Sequence, residues 1–346
     1  MGKEIFKEAG NSLGGIVRNH VGVAQDNFVS SLISDSEICI KQVLSQYDDD
    51  LLQVLWEFMS DGKRLRPFIL ACTARMLNGD REIALQLAAS VEIYHNATLI
   101  FDDVQDNSLM RRGKATLNAR FGSGIAISYA SVLRSMTTKP LTDLLSANNS
   151  LLIYQWIHKV FMLLSLGQYH EMMWSYRKDL HVSEKDYLEM ARCKTGALIG
   201  LSALWGGLSA SSDAIDKLFE FGWNLGIAYQ ILDDIGNVDE KTKQKKDKYS
   251  DVYERKITLL VVHALEQNQE KWRNDLTTIF SKTEIMESDV LKVLQIFKDS
   301  RSMEYCREVA NNYVKNAIGL LLQIPVSDST FRDKFITEIK ELFIHA

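Results

Sequence analysis

Proline is nearly missing from this chain: three in 346 residues, at Pro67, Pro140 and Pro325. Long stretches are therefore free of the strongest helix breaker. Sustained period-two alternation is also missing, and no hairpin dipeptide separates strand-like runs, which argues against a sheet. No apolar run approaches the roughly 20 residues that span a bilayer, so no membrane span is expected. The opening MGKEIFKEAG lacks the apolar stretch of a signal peptide, and the closing LFIHA is no prenylation box. A cytoplasmic location is the expectation. The formal net charge of −5 supplies no excess of cations for nucleic acid, so any anion site must be built from locally placed ones. Cys39, Cys72, Cys193 and Cys306 lack metal-type spacing and read as buried thiols in a reducing compartment.

What is present favours helices. Hydrophobic residues make up 46% of the chain, ample for a sizeable core. Segments such as SEICIKQVLSQYDDDLLQVLWEFMS and REIALQLAASVEIYHNATLIFDD carry them at helical spacing. TGALIGLSALWGGLSA from 195 and LFEFGWNLGIAYQILDD from 218 are apolar nearly all round and belong in the middle of a large bundle. The length alone would suggest about two domains, but no repeat and no Pro/Gly/Ser-rich linker divides the chain. The expectation is all-α, a single domain over 1–346 with its motifs between about 60 and 265.

The chemistry starts at LIFDDVQDNSLMRRG, residues 99–113, where an apolar helix ends in three carboxylates followed by two arginines. Asp102 and Asp106 fall one turn apart on one face, where like charges repel. Asp233 and Asp234 close a second apolar helix in the same way. Two such ends imply a shared interior cleft, where uncompensated carboxylates would cost several kcal/mol each and so require cations or metal. Magnesium suits one or two carboxylates plus phosphate oxygens. Zinc is disfavoured, since His95 is the only histidine near either cluster in sequence. DGKRLRP, 61–67, places Lys63, Arg64 and Arg66 at the head of a helix, where cations oppose the macrodipole unless an anion binds. With Arg111 and Arg112, whose guanidinium forks match phosphate, the joint pattern points to diphosphates.

In order and spacing, GKRLRP, DDVQDNSLMRRG, GQYHE, KTGAL, YQILDD and RKITLLVVHAL resemble segments of the trans-isoprenyl diphosphate synthase (polyprenyl synthase) family. The resemblance implies a helical barrel around a deep central apolar pocket, usually a homodimer with heteromers known. It implies an Mg2+-dependent prenyltransferase that condenses an allylic diphosphate with isopentenyl diphosphate. Asp102 and Asp106 would hold two magnesium ions, with Asp103 in support, and Asp233 a third; Asp234 belongs to the same catalytic set. Arg111, Lys194, Lys256 and Lys246 would contact the allylic diphosphate. Lys63, Arg66, His95 and Arg112 would hold that of isopentenyl diphosphate, and Thr195 and Gln230 would face the allylic carbons.

The chain departs from that family in places. Asn237 stands where a third aspartate is usual, glycines around Lys246 are replaced in KKDKYSD, and Ala130-Ser131 replaces a Gly-Asp pair, with Arg134 and Lys139 beyond it. Ala97 and Thr98, below the first acidic motif, are small enough for a growing tail to pass, and an inward Tyr94 would floor the channel near a C20 product. Alternatives are a non-catalytic or modulating subunit of a heteromer, an unusual acceptor, and a class I terpene cyclase. A cyclase would need Ser/Thr and Glu where Asn237 and Lys241 stand.

Overall fold

The computed structural model describes residues 23–47, 49–146, 150–239, 248–267 and 269–344. The first half of the chain forms α1 (Asn27–Leu44), α2 (Asp49–Met59), α3 (Leu65–Leu77), α4 (Arg81–Gln105), α5 (Leu117–Phe121), α6 (Ser123–Met136) and α7 (Ser150–Arg177). The second half forms α8 (Glu184–Ala191), α9 (Ala197–Ser209), α10 (Ile215–Val238), α11 (Ser250–Tyr253), α12 (Leu259–Glu266), α13 (Glu270–Ser281), α14 (Glu287–Asp299), α15 (Ser302–Leu322) and α16 (Ser329–Ile344). Among the described residues no helix is long and apolar enough to cross a membrane.

The all-round apolar segments occupy the centre, as their composition requires. Every residue of α9 is buried, and its Ser202 hydroxyl is satisfied by the Leu198 carbonyl at 2.9 Å. The helix packs against α3, α4 and α10. Each fully buried leucine or isoleucine there contributes about 1.5–3 kcal/mol relative to exposure. Two of the surrounding helices start at acidic caps. Asp80 accepts from the Ile83 N–H at 2.9 Å to begin α4, and Asp26 accepts from the Phe28 and Val29 N–H groups to begin α1.

Three local features position the site. Arg192–Gly196, between α8 and α9, forms a π-helical turn, a device that locally widens a helix and re-aims its side chains. α10 lies so close to this turn that a Cβ on Gly226 would stand 2.3 Å from the Gly196 Cα, so glycine is required there. The third is a ribbon of β1 (Met110–Arg111) and β2 (Lys114–Ala115), turned by Arg112 (φ 55°) and Gly113 (φ 78°). The ribbon is a small addition to an all-α architecture, and the sequence does not announce it, since Arg112-Gly113 lacks the asparagine or aspartate that usually marks such a turn.

The two acidic helix ends also differ from each other. α4 stops at Gln105 with Asp106 as its C-cap, as the sequence suggests. α10 continues to Val238, so Asp233 and Asp234 sit inside a helix rather than at its tip.

Candidate active site

Between these helices lies a cavity of about 1490 Å³. Asp102, His95, Thr98, Ala97 and Tyr94 of α4 line it, as do Lys194 and Thr195 of the π-helical turn, and Gln230, Asp233 and Asp234 of α10. Lys63, Arg66, Arg111, Arg112 and Lys256 add cations to the wall, with Arg64, Lys114 and Arg134, and Asp61, Glu92, Glu171 and Asp251 add carboxylates. The lining is charged as well as apolar: leucines and aromatics share it with two sets of ionic groups.

One set surrounds the first acidic motif. Arg111, returned by the ribbon, donates from Nε to Asp103 at 2.7 Å and from Nη2 to Asp102 at 3.2 Å. Lys194 is hydrogen-bonded to Glu171 and stands 3.6 Å from Asp102. Lys256 reaches Asp106 at 2.8 Å, Glu254 at 2.7 Å and Asp251 at 3.6 Å. Burial lowers the affinity of both lysines for their protons, but the carboxylates outweigh it, Glu171 then Asp102 for Lys194 and Asp251 first for Lys256, so both stay charged. Burial pushes the Asp103 carboxyl up to about 6 against the pull of Arg111. Asp103 and Asp106 stand just behind the cavity wall, hydrogen-bonded to the lining residues Arg111 and Lys256.

The second set lies around α3. Arg64 begins that helix in the left-handed region (φ 53°) with its side chain buried. It donates to Glu37 at 2.8 Å, to Glu92 at 3.0 Å and to the Met59 carbonyl at 2.8 Å. Arg66 Nη1 lies 3.0 Å from His95 Nε2. Since a guanidinium only donates, the imidazole accepts there and carries its proton on Nδ1. Burial, then Arg66 and Arg112, holds the His95 pKa well below the usual range, so the ring is neutral. Arg112 donates to the Phe58 carbonyl at 3.3 Å, and burial pulls it down to about 10. Arg64 Nη2 and Arg66 Nε are buried with no hydrogen-bond partner. Lys63 is exposed at the rim.

Between the sets, the Thr195 hydroxyl is hydrogen-bonded to Gln230 Oε1, and Gln230 Nε2 donates to Asp234 at 2.8 Å. Tyr187 donates to the other Asp234 oxygen at 2.6 Å. Burial, then the Asp251 charge, pushes Asp234 up to about 8. Lys246 lies outside the described residues. Sequence reasoning gave no role to Tyr187, Glu254, Gln168 or the Glu37–Glu92 pair. Gln168 donates to Asp102 at 3.2 Å and to Gln105 at 2.9 Å, and it stood inside the quoted GQYHE.

Among the described residues no group of three or more His, Cys, Asp or Glu side chains is gathered tightly enough to cage a metal. The oxygen-only donors Asp102 and Asp233 on one cavity fit a hard cation that takes few protein ligands and completes its shell with phosphate and water.

Residues 48–297 match the profile of the family described as Polyprenyl synthetase. The chain belongs to that family. It is 35% identical over 280 residues to the geranylgeranyl diphosphate synthase of Saccharolobus solfataricus, covering 79% of this chain and 83% of that one. It is 34% identical over 281 residues to the geranylfarnesyl diphosphate synthase of Aeropyrum pernix, covering 79% and 86%. The crystal structure of geranylgeranyl pyrophosphate synthetase from Pyrococcus horikoshii superposes with a TM-score of 0.80 at 30% identity, over 91% of this chain and 95% of that one. The helical architecture is shared with the Pyrococcus horikoshii structure.

Proposed function

We propose that this polyprenyl synthetase is an Mg2+-dependent trans-prenyltransferase that joins an allylic diphosphate head-to-tail to isopentenyl diphosphate, giving a product of geranylgeranyl or neighbouring length. The observation that carries it is one cavity holding two separate cation sets, Arg111, Lys194 and Lys256 on one side and Lys63, Arg66 and Arg112 on the other. Two diphosphates have a place there, whereas a cyclase acting on one has no use for the second set.

Asp102, Asp106 and Asp233 would hold magnesium, in three ions by family resemblance, and the metal would neutralise charge on the leaving diphosphate. The chain's own cations do the rest of that work. Lys194, Lys256 and Arg111 stabilise the diphosphate as the allylic C–O bond breaks. Arg66, Arg112 and Lys63 hold isopentenyl diphosphate so that its double bond reaches the allylic cation. The new C–C bond leaves a tertiary cation, which loses a proton to the departed diphosphate. The linked oxygens of Thr195 and Gln230 face the cation as dipoles too weakly nucleophilic to trap it, and the buried helices exclude water.

The floor of the cavity supports a C20 limit. Ala97 and Thr98 leave space below Asp102, and Tyr94 comes next, its ring stacked on Phe161 at 3.4 Å. α6 and α7 leave Ile125, Ile127, Met162 and Leu166 exposed, an arrangement that favours a second copy as partner. Mass spectrometry of products from dimethylallyl, geranyl and farnesyl diphosphates, each with isopentenyl diphosphate and magnesium, tests the reading. Elongation dependent on magnesium is expected, and a purified chain that turns over none of them rejects it. Tyr94→Ala is expected to shift the product to longer chains; an unchanged distribution removes Tyr94 as the floor.

A further inference from the structure

Lys256 is delivered to the cavity by a segment that is too short to be stable alone. α11 has four residues, and its N-cap, Tyr249, makes no side-chain cap of its own. The cap comes instead from α10. Asn237 Oδ1 accepts from the Asp251 N–H at 3.2 Å, its Nδ2 donates to the Ser250 hydroxyl at 2.8 Å, and its carbonyl accepts from the Tyr249 N–H at 3.1 Å. One buried amide thus holds the whole first turn.

The other end closes on a residue of the wrong type. Arg255 N–H donates to the Val252 carbonyl at 3.1 Å, and Lys256 N–H donates to that of Asp251 at 2.8 Å. This is the paired closure that normally uses glycine at the left-handed position, and Arg255 occupies it with φ 59°. Its guanidinium offsets the unfavourable backbone. Nη2 donates at 2.8 Å to each of the Lys282 and Thr283 carbonyls, in the turn after α13, and the Arg255 carbonyl accepts from Ser175 of α7 at 3.3 Å. The turn so fixed directs the next side chain, Lys256, to Asp106.

We infer that Asn237 and Arg255 are positioning residues for Lys256, holding α11 at its two ends so that the ammonium meets the allylic diphosphate in a preset place. The inference rests on the proposed reaction, so the parent enzyme is assayed alongside, and a parent without turnover overturns both. With an active parent, Arg255→Ala is expected to raise KM for the allylic diphosphate about tenfold, the usual size for a lost charged hydrogen bond, and KM for isopentenyl diphosphate by no more than about twofold. Asn237→Ala acts in the same direction. Arg255→Lys, which can still reach a carbonyl, recovers part of the loss. Arg255→Gly does not, although it relaxes the backbone. If Arg255→Ala fails to fold, the Lys and Asn237→Ala variants are judged on the same ratio. Both KM values rising together, neither moving, or rescue by glycine overturns the inference.

Discussion

The two charged walls of the cavity are built on opposite plans. Around the first acidic motif, Asp102 and Asp103 share Arg111, Asp106 holds Lys256, and Lys194 is held by Glu171 and Asp102. Around α3, Arg64 is neutralised by Glu37 and Glu92, and Arg64 Nη2 and Arg66 Nε are buried donors with no hydrogen-bond partner among the described residues. The first wall carries more carboxylates than cations, since Glu171, Asp251 and Glu254 join Asp102, Asp103 and Asp106 around Arg111, Lys194 and Lys256, so an incoming anion must bring cations of its own or exchange partners with the carboxylates. The second is set for an anion and needs none. Under the proposed function, metal would be needed on the first side and not on the second, since a bare diphosphate beside Asp102 would meet like charge.

The comparison is broken most severely at Asp102. Asp102→Asn keeps the shape and one acceptor but removes the charge, and kcat is expected to fall about a thousandfold in a protein that melts like the parent. A loss under about tenfold would place the metal elsewhere. Next in size is Arg66→Ala, which takes away the unpartnered Nε and the bond to His95. KM for isopentenyl diphosphate should rise on the order of tenfold to a hundredfold, with the allylic KM held. If the allylic KM rises equally, the walls do not divide the substrates as proposed.

The division of the walls was partly legible in the chain. Adjacent aspartates in apolar helices at 102–106 and 233–234 announce themselves because such charges need compensation wherever they are buried. α9 was equally plain, being apolar on every face. The compensating partners were not, since Lys256 meets Asp106 across 150 residues and Tyr187 meets Asp234 across 47, and no local spacing encodes a tertiary pair. Arg64 was misleading for a related reason. Within GKRLRP it resembles its neighbours in type, and although it lines the cavity as they do, only its tertiary pairing with Glu37 and Glu92, 27 and 28 residues away, sets it apart. Asn237 read only as a departure from the family's third aspartate, because the four-residue helix that it caps has no sequence signature.

The smallest effect expected is also the one that separates the walls without substrate, because protons act on them with opposite sign. His95, on the α3 side, has its folded pKa depressed by burial and by Arg66 and Arg112. Its contribution to stability is present above the unfolded value of about 6.5 and is lost as pH falls below it. Asp103 and Asp234, on the acidic side, are raised by burial to about 6 and about 8. Their contribution is present below the unfolded value of about 4 and is lost as pH rises through those folded values. Melting curves of the metal-free protein from pH 5 to pH 9 should therefore respond differently to two substitutions. His95→Gln should narrow its deficit, or gain on the parent, toward pH 5. Asp234→Asn should gain toward pH 9, where the parent must ionise a buried carboxyl between Tyr187 and Gln230. Parallel shifts at every pH in both variants would mean that neither group changes its protonation on unfolding, and the electrostatic contrast between the walls would then rest on the lysines and arginines alone.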